Sequence, residues 1–217
     1  MKEYNAAYPV RNPDAAARLE EYLSTKKNPN KILEKALARA DEIVENRVYK
    51  SIHIILYEYP FQTMRPRTFG GHTFSPNAAE NKEYFRKALD KVLQSFQLIT
   101  TPAEIEVEAY LEMPKNVPPE EVLLFESKLL TPLTTPDFDN IIKCYTDMST
   151  NVLTSDDDIF WRGELRKYYS LLPRVEMRIR FLEKHESKYI YKHLKNRKVI
   201  QEGLASGQVK LQLLGEG

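Results

Sequence analysis

Cysteine is almost missing from this sequence: Cys144 stands alone among 217 residues. One thiol excludes an intramolecular disulfide framework and a cysteine-built zinc cage, and it suits a reducing compartment. Long apolar runs are missing too. None approaches the roughly 20 residues that span a bilayer, and Met1-Lys2-Glu3-Tyr4-Asn5 lacks the apolar core of a signal peptide. The sequence therefore predicts a soluble, cytoplasmic chain with no membrane partner. An excess of one charge is also lacking: 32 Lys and Arg stand against 31 Asp and Glu, a net +1. That balance argues against a histone-like or tail-driven nucleic-acid binder and leaves local patches open. No internal repeat and no low-complexity tract interrupts the chain. His53, His72, His185 and His193 show no metal-ligand spacing and read as surface or strand residues. No Gly-Lys-Ser/Thr follows Gly70-Gly71, so no phosphate-cradling loop is encoded there.

What is present is enough apolar residue, 42%, to bury a core beside 29% charged residues. Residues 13–47 read as helical, with a break at Lys26–Asn30 and an apolar stripe through Ile32, Leu33, Ala36, Leu37, Ala40, Ile43 and Val44. A β-branched and aromatic run predicts a strand over 50–59. Residues 60–76, with Pro60, Pro66 and Gly70-Gly71, predict a loop, and 76–97 a helix. Ile105, Val107, Ala109 and Leu111 alternate with glutamates, the pattern of a half-exposed strand. A short helix over 118–130, a Thr- and Pro-rich loop and a helix over 139–149 follow. Strands over 159–169 and 174–183 then flank Leu171-Leu172-Pro173 as a hairpin. A basic amphipathic helix around Tyr189–Ile200 precedes a mobile tail. The expected organisation is an α+β core, 49–184, between helical segments at 1–48 and 185–217.

Two acidic clusters carry the chemistry. Asp137 and Asp139 sit two apart in Pro136-Asp137-Phe138-Asp139-Asn140-Ile141-Ile142-Lys143, at a loop-to-helix junction; Asp156-Asp157-Asp158 follows fewer than twenty residues later. Paired carboxylates are the hard oxygen ligands that Mg²⁺ or Mn²⁺ requires. The intervening helix would fold the second cluster back toward the first. Lys143, four residues after Asp139, shares its face and could meet a metal-bound phosphate or pair with Asp139 or Asp147. The plain alternative stays open: an Asp at a helix start is usually a cap, and a triple Asp in a turn is usually solvated. Cys144, inside the same helix, reads as a small buried apolar group. Local basic residues surround the acids in sequence: Arg65, Arg67, Lys82, Arg86, Lys87 and Lys91 upstream, and Arg162, Arg166, Lys167, Arg174, Arg178 and Arg180 downstream. They point to a polarised surface, or to a solvated strand face. Trp161 and Tyr168-Tyr169 could stack on exposed bases or pack in a core or interface.

Thr135-Pro136-Asp137-Phe138-Asp139-Asn140-Ile141-Ile142-Lys143, then Asp147, then Asp156-Asp157, resembles the signature of the RusA family of Holliday junction resolvases. That family carries Pro-Asp-Leu-Asp-Asn-Leu-x-Lys, an Asp four residues on, and an Asp-Asp pair before its last hairpin. Met64-Arg65-Pro66-Arg67-Thr68 and Thr73-Phe74-Ser75-Pro76 resemble its basic-proline turn and its Tyr-(Ser/Thr)-Pro helix entry. The resemblance covers residues 50–183. It implies an α+β fold with a small mixed β-sheet packed with helices. The activity it implies is that of a homodimeric, Mg²⁺-dependent endonuclease, with Mn²⁺ able to substitute, that nicks four-way DNA junctions symmetrically in recombination and repair, in a bacterial cell or encoded by a phage. The family's catalytic, metal-holding acids map onto Asp137, Asp139 and Asp157, and its lysine onto Lys143. DNA contacts are expected from Arg65, Arg67, Lys143, Arg162, Arg166 and Lys167. Thr135 stands where a basic residue is common, and the triplet Asp156-Asp157-Asp158 leaves room for the third ligand to slip by one. Two other readings remain: a structure-selective DNA-binding module of the same fold without nuclease activity, and a nuclease for flaps or forks.

Overall fold

Helix-forming residues fill the first 46 positions of the chain, and an Asn-Pro pair marks where the second and third helices begin. The structure, a computed structural model, describes residues 1–62, 67–69, 72–74 and 77–215, with backbone alone at 67–69, 72–74 and 92. It divides into two compact units, Met1–Arg47 and Val48–Gly217. The first holds α1 (Lys2–Ala7), α2 (Pro13–Ser24) and α3 (Pro29–Asn46). Asn12 caps α2 by accepting from the Ala15 N–H at 3.0 Å, with Pro13 in the first turn, where its missing N–H costs nothing. The Tyr8 hydroxyl donates to Asp41 of α3 at 2.7 Å. The apolar stripe of α3 is only partly covered: no residue of the helix is fully buried, and Ile32 and Val44 stay exposed.

The second unit is built on four strands. β1 (Tyr49–Leu56) opens it, and a short antiparallel ribbon, β2 (Arg67–Phe69) with β3 (His72–Phe74), stands where the sequence predicts only loop. α4 (Ala78–Ala88) and α5 (Asp90–Leu93) replace the single helix expected over 76–97. The break falls at buried Leu89, whose N–H is shared between the Phe85 and Arg86 carbonyls at 3.2 Å each, tightening the last turn. β4 (Ala103–Glu112), α6 (Pro119–Glu126), α7 (Phe138–Ser149), a 3₁₀ turn (Asp157–Ile159), β5 (Phe160–Ser170) and β6 (Arg174–Leu182) follow.

The sheet order is β1-β6-β4-β5, with β4 parallel to β5 and antiparallel to β6. The fold is thus α+β around a small mixed sheet. The expected hairpin does not form, because β4 lies between β5 and β6. β4 is paired on both edges and buries Ile105, Val107, Ala109 and Leu111, and Leu171–Pro173 connects the strands on its two sides. Glu126 of α6 supports this connection by accepting from Ser170 Oγ at 3.2 Å and from the Leu171 N–H.

One sheet face is the core. Val107, Ile105, Leu165, Met177 and Ile179 pack beneath Ile141, Cys144, Tyr145 and Met148 of α7 and Phe85 of α4. The Tyr145 hydroxyl accepts from the Phe61 N–H at 3.1 Å. Cys144 is buried there, as its setting in the helix predicts. Beyond β6, the predicted basic helix is two helices, α8 (Lys188–Lys195) and α9 (Lys198–Ser206), parted at Asn196-Arg197. The tail expected to be mobile is instead packed down. Gly207 at φ 76° reverses the chain, the Val209 N–H donates to Gly203 O at 3.0 Å, and Val209, Leu213 and Leu214 are buried. Glycine is required at 203, because a Cβ there would stand 2.5 Å from Val209 Cγ2. His185, read from the sequence as a surface or strand residue, is buried at a bridge to Leu213 with its Nε2 3.2 Å from Thr100 Oγ1; burial pushes its pKa down to about 4.

Candidate active site

α7 follows from its sequence. Ile141, Cys144, Tyr145 and Met148 recur at three- and four-residue spacing and turn to the core, which forces Asp139, Lys143 and Asp147 onto the opposite, exposed side. Asp137 occupies the N-cap position, yet its side chain makes no capping hydrogen bond. The bland explanation for that aspartate therefore fails on geometry. Asp139 stands in the first turn, Lys143 one turn on and Asp147 one turn further, a span of about 12 Å along the axis.

α7 runs antiparallel to β5. At its start, Lys167 of β5 donates to the carbonyls of Thr134 and Pro136 at 2.9 and 3.0 Å. At its middle, Ile142 lies against Gly163, where a Cβ would approach it to 3.7 Å. The 3₁₀ turn that precedes β5 therefore comes back on the C-terminal half of α7. The charge of Asp147 is felt at Asp157 there. Asp147 belongs to the motif, and its spacing of four from Lys143 offered it in the sequence only as a pairing partner for that lysine.

Within the triplet the three carboxylates are not equivalent. Asp156 caps the 3₁₀ turn by accepting from the Asp157 N–H at 2.8 Å. Arg197, at the junction of α8 and α9, takes Asp158 at 2.7 Å and Asp156 at 3.5 Å. Asp157 is the member left out of this clamp. Its carboxyl lies against that of Asp156, and this contact, partial burial and the charges of Asp156 and Asp147 hold its pKa above the usual carboxylate range. Burial also raises Asp147, against the pull of Lys143 and Lys82. A cavity of about 260 Å³ opens beside Asp147 between α4 and α7, lined by Gln62, Asn81, Lys82, Cys144 and Met148.

Among the described residues no three His, Cys, Asp or Glu side chains converge on one point to hold a metal ion. The donors present are nonetheless all carboxylate oxygens, the chemistry a hard divalent cation takes. Among the described residues, Asp137, Asp139, Asp157 and Lys143 have no ion-pair partner.

The downstream basic residues are arranged otherwise than as a polarised patch. Strand alternation places Arg162 and Arg166 on the sheet face opposite α7, in register with Glu104 and Glu108 of β4. Arg162 pairs with Glu104 at 3.8 Å and Glu164 at 3.9 Å, and Arg166 with Glu108 at 3.5 Å and with Glu164. Arg178 and Arg180 of β6 reach Glu106 and Glu104 at 3.9 and 3.7 Å. The β4 glutamates thus neutralise an arginine ladder that looks basic when read along the chain. Lys167 braces the loop before α7. Tyr169 is buried edge-on against Phe125, while Trp161 is exposed. Arg65 lies outside the described residues, as does the side chain of Arg67.

Among the described residues no helix is long and apolar enough to cross a membrane. Residues 60–180 match the model of the family described as Endodeoxyribonuclease RusA. Over 136 residues the chain is 32% identical to an uncharacterized protein of Bacillus subtilis (strain 168), YqaN, across 59% of this chain and 95% of that protein. The match covers more than half of the chain and runs through both acid clusters, and on that ground the chain belongs to the RusA family of Holliday junction resolvases.

Proposed function

We propose that this chain is a Mg²⁺-dependent endodeoxyribonuclease that resolves four-way DNA junctions by paired phosphodiester hydrolysis, with Asp137, Asp139 and Asp157 holding the metal and Lys143 at the scissile phosphate. One contrast carries this reading. The arginines and glutamates of the outer sheet face are mutually paired, whereas the three acids and the lysine of the motif stand exposed without an ion-pair partner among the described residues. The like charges crowded around Asp157 repel one another, and a cation bound there relieves that repulsion.

When bound, Mg²⁺ supplies Lewis acidity and neutralises the phosphate charge, with Mn²⁺ able to substitute. Asp137, Asp139 and Asp157 would hold the ion, whose charge would offset the repulsion these carboxylates exert on DNA. Lys143 projects from the same helix face as Asp139 and Asp147, and its ammonium steadies the anionic phosphate as charge develops. Lys167 acts indirectly, holding the Thr134–Pro136 carbonyls and so the approach to Asp137. Two matched nicks need two active sites, so a two-fold homodimer is the expected working form.

The test is cleavage of a synthetic four-way junction, beside a fork, a flap and a linear duplex, with Mg²⁺ and with EDTA, and light scattering of the same sample. Symmetric, Mg²⁺-dependent nicking of the junction and a dimer mass are expected. Binding without nicking in any metal would leave a structure-selective binding protein of the same fold, and preference for the flap or fork would reassign the substrate.

A further inference from the structure

A groove of about 310 Å³ lies between the start of β5 and α8, outside the cavity beside Asp147. Its walls are apolar and aromatic: Trp161, Tyr189 and His193, with Pro102, Ile190 and Leu194. Tyr189 and His193, one turn apart on α8, stack with nearly parallel planes, 8° apart, and ring centres 6.2 Å apart. Trp161 is 62% exposed and Tyr189 79% exposed, an unusual cost for two of the largest apolar side chains.

The backbone is shaped to present Trp161. β4 and β5 slip register here: Ala103 faces Phe160 and Glu104 faces Arg162, so Trp161 is the extra residue of a β-bulge. A bulge bends its strand and re-aims a side chain. Without it, strand alternation would give this position a regular place on the sheet.

Charge says what the groove takes. From Lys188 to Gln201 the chain carries Lys188, Lys192, Lys195, Arg197 and Lys198 and no acid. This is the sharpest run of one sign in a chain whose total is +1. Unlike the arginines of the sheet face, Lys188, Lys192 and Lys195 have no ion-pair partner among the described residues. Arg197 also lines the groove and joins it to the acid triplet through Asp158. α8 lies beyond the residues that match the family, 60–180.

We infer that this groove is a base-stacking site: it holds an unpaired base of the substrate DNA between Trp161 and the Tyr189–His193 pair, with the α8 lysines on the flanking phosphates. Aromatic planes give sequence-tolerant stacking and the lysines track the backbone, the combination that binds single-stranded nucleic acid. The clamp of Arg197 sets the groove beside the triplet that contains Asp157, so an opened base would lie next to the strand being cut. The inference rests on the reading of the chain as an enzyme of branched DNA.

Trp161 is the sole tryptophan, so its emission reports the groove without a label. The full chain, in EDTA so that nothing is cut, is titrated with a single strand of about 12 nucleotides, within the length that such sites cover, with a four-way junction carrying an unpaired base at its centre, and with blunt linear duplex. Quenching by the single strand and the junction, and little by the duplex, is expected. Tyr189→Ala should weaken single-strand binding about 5- to 160-fold, the range for losing one stacked base, and Trp161→Ala should do the same by anisotropy of a labelled strand. Both side chains are exposed, and circular dichroism checks the fold of each variant. Unchanged emission with every DNA, equal quenching by duplex, or wild-type affinity in both variants would overturn the inference. So would a drop in mass on Trp161→Ala, which would make the groove a contact between copies. Junction cleavage by the wild-type chain, measured separately with Mg²⁺, keeps the two readings apart: cutting without quenching removes the groove alone.

Discussion

Arg197 donates to Asp158 at 2.7 Å from the far side of the acid triplet. A second bond, to Asp156 at 3.5 Å, makes the guanidinium a bracket around the two neighbours of Asp157. As exposed ion pairs these contribute less than about 1 kcal/mol to stability. Their effect is on position. Arg197→Ala should lower the single-turnover rate on a junction about 10-fold, since small displacements of a reacting group are costly, with melting temperature and junction affinity nearly unchanged. Arg197→Lys should recover part of the rate. A rate equal to wild type in the alanine variant would show that Asp157 needs no bracket.

The acids themselves should behave unequally. Asp137→Asn, Asp139→Asn and Asp157→Asn should each cut cleavage about 100-fold or more, because even the supports of metal ligands are worth 10- to 100-fold, while junction binding persists. Asp156→Asn should hurt less, since its oxygens already serve the Asp157 N–H and Arg197. Mg²⁺ titrations of nicking and gel-shift affinities for the four variants check this. Full activity of Asp139→Asn with Mg²⁺ as sole metal would remove it from the site.

Lys143 separates chemistry from docking. Lys143→Ala should slow turnover about 100-fold, the usual cost of losing one preorganised group that stabilises transition-state charge. Affinity should change little, and the salt dependence of binding should fall by about one phosphate contact at most. A large loss of affinity at an unchanged single-turnover rate would make it a docking residue.

Periodicity made the elements of the core legible: the two-residue alternation of β4 and the apolar spacing of α7 are local facts of sequence. Strand order was not, because nothing local to Leu171–Pro173 announces that β4 enters between β5 and β6. The same gap hid the fate of Arg162 and Arg166. Their partners Glu104 and Glu108 lie on a strand nearly sixty residues earlier, so reading along the chain gives a basic cluster and reading across the sheet gives a neutral one. Asp137, Asp139, Lys143 and Asp157 were legible as a motif, and the exposure of Asp139 and Lys143 follows from the helix period. The influence of the Asp147 charge on Asp157 was not, since it depends on how α7 lies on β5. Gly203 and Gly207 read as signs of a loose tail; one permits close contact with Val209 and the other reverses the chain, roles that glycine also fills in packed structure.

His185 gives the pH dependence a sign. It is 2% exposed, and burial lowers its pKa to about 4 from an ordinary 6.5. Above pH 6.5 the ring is neutral folded or unfolded, and its ionisation adds nothing to the balance. Between the two values the unfolded chain takes up a proton that the folded chain refuses, so stability falls as pH falls. The loss approaches about 1.4 kcal/mol per pH unit and totals on the order of 3 kcal/mol by pH 4. Carboxylates titrate in the lower part of the same range, so the measurement is a difference between proteins. Urea midpoints of the wild type and His185→Gln are compared at pH 7.5 and pH 4.5. Glutamine keeps a polar group opposite Thr100 Oγ1 but binds no proton. The wild type should lose more stability than the variant over this interval, by up to the full size of the histidine contribution. Equal losses would mean that His185 is protonated within the fold, and that the C-terminal segment packs around a charge.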